Sequence, residues 1–201
     1  MKSVLISIQP KWCELIASGK KTIEVRKTKP KLETPFKCYI YCTNQKGYAF
    51  FTDQVFKGEK GNYSIPHLGN SKVIGEFVCD KIYDITPHFD TSTFPNQYIC
   101  DWDYGKDFDC LSFEELTSYL NGKQGYGWHI SDLVIYDKPR ELSEFAKPAK
   151  TAYDDEGYLL CDGCEFANWN IERVCTIDFC PERMITRPPQ SWCYVESEEG
   201  K

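Results

Sequence analysis

The chain has 201 residues, 41% of them hydrophobic and 27% charged, and carries a formal net charge of −6. That length can bury a core without cysteine staples, and the acidity argues against a sequence-blind nucleic-acid binder, which needs clustered cations. No apolar run reaches the roughly 18–20 residues of a transmembrane helix, and the stretch after Met1 is too short for a secretory leader, so the expected address is the cytoplasm. Val4, Ile6 and Ile8 alternate with Leu5, Ser7 and Gln9, which predicts a first strand. Pro10 suits the first turn of a helix, and Trp12, Leu15 and Ile16 recur at helical spacing until Gly19, a glycine placed to end it. Residues 22–26 alternate at period 2, and residues 37–42 form a second strand signal rich in aromatic and β-branched side chains.

Residues 57–71 contain Gly58, Gly61, Pro66, Gly69 and Asn70 and read as a loop. Residues 72–79 read as a strand in which Gly75 marks a bulge or a close approach. The stretch 89–105 is aromatic and irregular. Residues 111–120 predict a helix with Ser112 as N-cap and Glu115 completing a capping box, stopped at Asn121-Gly122. A single last strand spans 127–136. No internal repeat interrupts this order. Scattered strands with two short helices predict an α+β, mainly β fold, a barrel with helical plugs rather than a parallel α/β sheet.

Charge is unevenly spread. Residues 20–37 hold Lys20, Lys21, Arg26, Lys27, Lys29, Lys31 and Lys37 against only Glu24 and Glu33, which points to a confined site rather than a wide binding face. Glu24 and Arg26 share strand parity, so they lie on one face and can pair or line a pocket together. Lys21 sits where the helix gives way to the strand and is free to project into a cleft. Arg26 offers a planar fork for a phosphate or a base edge.

Gly19, Lys21 and Arg26, preceded by Pro10-Lys11-Trp12 and followed by the segments 73–77 and 128–130, resemble the ASCH family over about residues 1–145. The resemblance implies a small closed PUA-like β-barrel with a cleft where the first helix meets the second strand. It implies RNA, or a nucleotide or nucleoside, as the ligand, with Lys11, Trp12, Lys21, Arg26, Trp128 and His129 around it. Tyr39, Tyr41 and Tyr126 also come from segments expected to border the cleft, where bases stack on aromatic faces. Some members of the family look like amidohydrolases that remove an acyl group from a modified cytidine with a lysine, a threonine and a glutamate; others resemble ribonucleases. Lys21 matches the hydrolase lysine, but the threonine position is Glu24 here, and Glu76, Glu114 and Glu115 are the candidates for the glutamate. Lys21 and Glu24 therefore read either as an acid–base couple or as a plain salt bridge. A structural or interaction protein is the third alternative.

The barrel domain is expected to span residues 1–146, and residues 147–201 to form a cysteine-rich extension packing back on it. Eleven cysteines in a reducing compartment do not read as a disulfide framework. Cys161 and Cys164, spaced by two residues around Gly163, read as a metal knuckle that Cys175 and Cys180 are expected to complete as a four-thiolate structural zinc site, with the other seven cysteines as competing ligands or plain buried thiols. In residues 185–196, Arg187-Pro188-Pro189 fixes an extended backbone before Trp192 and Tyr194 alternate, a clamp that brings Arg187 or Gln190 beside the cleft. Tails of this kind resemble those of bacteriophage and gut-bacterial relatives. The chain is expected to act as a monomer without a membrane.

Overall fold

The apolar run near the start of the chain sets the architecture. In a computed structural model describing residues 2–59, 61–88, 97–100, 110–148 and 183–196, strand β1 (Lys2–Ile8) is buried from Ser3 to Ile8. A strand covered on both faces needs apolar side chains at both parities. Val4, Ile6 and Ile8 enter one core cluster and Leu5 enters another. Helix α1 (Pro10–Ala17) follows, with proline in its first turn. After it come β2 (Ile23–Arg26) and β3 (Phe36–Cys42), the latter pairing parallel with β1.

The remaining strands are β4 (Phe51–Gly58), β5 (Gly61–Leu68), β6 (Lys72–Cys79), β7 (Ile82–His88) and β8 (Gln97–Cys100). Helix α2 (Phe113–Leu120) then leads to β9 (Gly125–His129), β10 (Ser131–Arg140) and, after a 3-10 turn at Leu142–Glu144, β11 (Trp192–Glu196). The capping box of α2 forms as expected, with Glu115 N donating to Ser112 Oγ at 3.1 Å and Ser112 N to Glu115 Oε2 at 2.9 Å.

The closed barrel is the first expectation to be corrected. Among the described residues the ladders form three sheets, ordered β10-β6-β3-β1-β11, β2-β9-β7-β8 and β4-β5. The single strand expected over 127–136 is also divided: it breaks at Ile130, Asp132 takes φ 46°, and β9 and β10 join different sheets. The largest core cluster contains Val4 and Ile6 of β1, Cys13 and Ile16 of α1, Ile40 of β3 and Trp128 of β9. On the other face of the five-stranded sheet, Leu5, Tyr39, Val73 and Val195 are covered by Leu142, Phe145 and Ile185. Leu116 and Leu120 of α2 pack with Val25 of β2 and Ile85 of β7. No helix of the described residues is long and apolar enough to cross a membrane.

The loop expected over 57–71 is the second correction. Gly58 and Gly61 face each other at the turn of the β4–β5 hairpin, where Gly61 takes φ 124°. The flanking strand β5 is exposed along nearly its whole length, so no buried alternation marked it in the sequence. Its Pro66 is tolerated because edge strands need not donate at every position.

Gly75 is a close approach, as its sequence context suggested. A Cβ there would run into the Val134 carbonyl oxygen and lie 3.1 Å from Ile135 Cα, both on the neighbouring β10. Backbone cannot yield as a side-chain tip can, so Gly75→Ala is expected to cost about 1–3 kcal/mol of stability. A thermal melt checks this, and an unchanged midpoint would mean that β6 and β10 are not held this close.

Candidate functional site

The end of α1 determines where Lys21 points. Gly19 takes φ 73°, and the N–H groups of both Lys20 and Lys21 reach back to the Leu15 carbonyl at 2.9 and 3.0 Å. This reversal folds Lys21 onto its own helix, and its Nζ lies 5.3 Å from the centroid of the Trp12 ring. One turn of backbone later, β2 presents Glu24 and Arg26 on one face, opposite Trp128 and Tyr126 of β9.

Lys21 Nζ stands 3.5 Å from Glu24 Oε2, and Arg26 Nη2 lies 2.9 Å from Glu24 Oε1. The side chains of Lys21, Glu24 and Arg26 are 2%, 8% and 9% exposed, so the three charges are largely withdrawn from water. Two cations share one carboxylate, and the cluster carries a formal excess of one positive charge. All three line a cavity of about 460 Å³. Trp12 and Tyr119 supply aromatic wall, and Thr43 adds a hydroxyl-bearing side chain. Burial raises the Tyr119 phenol above its ordinary range, opposed by the nearby Arg26, so it stays protonated at neutral pH.

The C-terminal segment closes one side. Ser7 N donates to the Ser191 carbonyl at 2.8 Å, and Ser7 Oγ donates to the Pro189 carbonyl at 2.6 Å. Strand β11 continues this contact antiparallel along β1, from Ile6 opposite Trp192 to Lys2 opposite Glu196. Pro189, Gln190 and Ser191 thereby become part of the cavity wall. Arg26 is the hub of this corner. Its Nη2 also donates to the Ser7 carbonyl at 2.6 Å and its Nη1 lies 3.5 Å from Ser191 Oγ, while its buried Nε has no partner.

The profile of the ASCH domain family matches residues 6–116, more than half of the chain. The chain belongs to the ASCH domain family. The crystal structure of an ASCH protein from Zymomonas mobilis is similar at 20% identity, over 70% of this chain and 73% of that one, with a TM-score of 0.44. A tyrosine-to-phenylalanine variant of that protein gives 18% identity over 71% and 77%, also at 0.44. Overlaps this loose carry no residue-by-residue correspondence. None of the curated proteins matches the chain.

In this ASCH domain the signature lysine and arginine meet at one cavity, together with Trp12 and Glu24. The other expected ligand contacts lie elsewhere. Trp128 is fully buried in the main core cluster, edge-on to Phe36 at 5.8 Å, because its position opposite Glu24 directs it inward between the sheets. His129 is turned to the opposite face by strand parity, where its Nδ1 meets Asp80 Oδ1 at 2.6 Å. Lys11 stays outside the cavity wall, 3.4 Å from Glu115 and 4.3 Å from the Trp12 centroid.

None of the three glutamates considered for a hydrolase lines the cavity. Glu76 binds Lys37 at 3.1 Å and accepts from the Tyr136 hydroxyl at 2.7 Å, Glu115 caps α2, and Glu114 is its neighbour in the first helical turn. Glu24 is the carboxylate on the wall. Tyr119 and Thr43 were missed in the sequence. Tyr119 was findable, since it sits three residues after Leu116 on the face that α2 turns to the protein. Thr43 lies just past β3 and carries no pattern of its own.

Cys161, Cys164, Cys175 and Cys180 lie outside the described residues. Among the described residues, no group of three or more histidine, cysteine, aspartate or glutamate side chains is placed to hold a metal ion. The seven described cysteines are free thiols, and burial pushes Cys13 and Cys38 well above the usual thiol range. Such thiols stay protonated and serve as small apolar core residues rather than nucleophiles.

Proposed function

We propose that the cavity binds one nucleotide unit, either a free nucleotide or nucleoside or a single unit of an RNA strand. The observation that supports this most is the buried Lys21–Glu24–Arg26 cluster on the wall of a cavity of about 460 Å³, flanked by Trp12 and Tyr119. A volume in this range suits a small ligand. Aromatic walls accept the face of a base, and a cluster with more cations than carboxylates favours an anionic or acceptor-rich ligand. Lys21, whose Nζ lies beside the Trp12 ring on the cavity wall, is assigned to the ligand. Arg26 ties that wall together through Glu24 and Ser7.

Lys21→Ala is therefore expected to weaken binding of uridine monophosphate about tenfold to a hundredfold, the cost of one charge-assisted hydrogen bond. Calorimetric titration of the full chain checks this alongside a thermal melt, because Glu24 keeps Arg26 as a partner in the variant. Equal affinity in the two proteins would remove Lys21 from the site.

Hydrolysis on the same cleft is the second reading, and the 3.5 Å approach of Lys21 Nζ to Glu24 Oε2 is what favours it. A buried lysine beside a carboxylate can move a proton. It predicts release of the acyl group from an acylated cytidine, or cleavage of an oligoribonucleotide, by the native chain and not by Lys21→Ala. Tight binding with neither product would leave the binding reading standing alone.

A further inference from the structure

Beyond the cavity mouth, β2 leads into a run whose lysines sit on aromatic rings. Lys27 Nζ lies 4.9 Å from the centroid of Tyr119, the same ring that walls the cavity. Lys29 Nζ lies 4.7 Å from the centroid of Tyr126, which stands opposite Arg26 at the start of β9. Both lysines are exposed. Between them Thr28 Oγ1 accepts from Trp192 Nε1 at 3.0 Å, so the run is pinned to β11 rather than loose. Beyond them the Lys31 amide donates to the Tyr194 hydroxyl at 2.7 Å.

We infer that Lys27 and Lys29, with Tyr119 and Tyr126, form a second subsite that binds the nucleotides flanking the one in the cavity, making a single-stranded oligonucleotide the preferred ligand. This rests on the nucleotide reading of the cavity. Alternating cations and aromatic faces are what a single strand requires, since phosphates take the charge and bases take the rings. Two residues of chain separate the lysines by at most about 7 Å, comparable with one nucleotide step. The opposing charge here is Asp84, whose Oδ1 stands 3.7 Å from Lys29 Nζ with both side chains about half exposed. Such an exposed pair is weak and yields readily to a phosphate. Tyr119 joins the two subsites, because one ring serves the cavity wall and the first lysine.

The test compares uridine monophosphate with a labelled single-stranded oligouridylate on the full chain, across a salt series. The expected result is that the oligonucleotide binds at least about tenfold tighter than the mononucleotide. The double variant Lys27→Ala/Lys29→Ala should remove that advantage while mononucleotide affinity falls by much less, since neither lysine lines the cavity. Its salt slope, log Kd against log salt, should fall by about 1.4 for the two lost phosphate contacts. A control, Lys46→Ala/Lys57→Ala, removes the same charge from exposed positions elsewhere and should change neither quantity. The subsite is overturned if the oligonucleotide binds no tighter than the mononucleotide, or if the control lowers affinity as much as the double variant. Failure of the native chain to bind either ligand would instead sink the nucleotide reading of the cavity.

Discussion

Glu24→Ala is expected to lower the free energy of unfolding by about 3–5 kcal/mol, the cost of leaving buried charge uncompensated. In the native chain Glu24 places one carboxylate oxygen 3.5 Å from Lys21 and the other 2.9 Å from Arg26. Removing it leaves two largely buried cations without the carboxylate they share, and Arg26 Nε is already without a partner. Urea denaturation followed by tryptophan fluorescence measures the loss. A cost under about 1 kcal/mol, the range of an exposed pair, would mean that the cluster is solvated and that its burial does not shape the site. A threonine in place of Glu24 could not balance both cations, whereas a glutamate does.

Trp128→Ala is expected to cost a similar amount, about 3–5 kcal/mol, by emptying the largest fully buried side chain from the main core cluster. Trp128 packs edge-on to Phe36 at 5.8 Å and tilted against Trp192 at 6.0 Å, so it joins β9 to β3 and to β11 at once. Its indole N–H is buried without a partner, a donor that contributes nothing. Trp128→Phe should therefore be clearly milder than Trp128→Ala and should leave ligand affinity unchanged. Loss of binding in the phenylalanine variant at unchanged stability would return Trp128 to the ligand.

These two residues mark how far the sequence could be read. The helix–strand junction was legible because its signals are local. Pro10 starts α1, Gly19 ends it with a positive φ, and two residues of like parity on β2 put Glu24 and Arg26 together. What Trp128 touches depends on which sheet β9 joins, and the bend at Ile130 that decides this has no local signature. At the same point the chain passes from one sheet to another. The clamp at the C-terminus was visible in Arg187-Pro188-Pro189 and the Trp192/Tyr194 alternation. Of its two candidates it is Gln190, not Arg187, that lines the cavity. The hairpin β4–β5 was hidden because exposed strands bury no alternating face.

The placement of the strap bears on what the domain recognises. Residues 189–191 lie beyond the segment matched by the family, yet they complete the cavity wall and are fixed to Ser7 by two hydrogen bonds. Lys21 and Arg26 thus supply the charged side of the site, and a segment outside the family match supplies part of its boundary.

The most direct measurement is photocrosslinking of a thiouridine-bearing oligonucleotide to the full chain, with the attachment points found by peptide mass spectrometry. A base held in the cavity should attach at Trp12 or Tyr119, and free uridine monophosphate in excess should suppress the crosslink. Crosslinks confined to surfaces away from the cavity, such as the exposed Phe51 and Tyr63 of the β4–β5 hairpin, would contradict nucleotide binding at the Lys21–Glu24–Arg26 site.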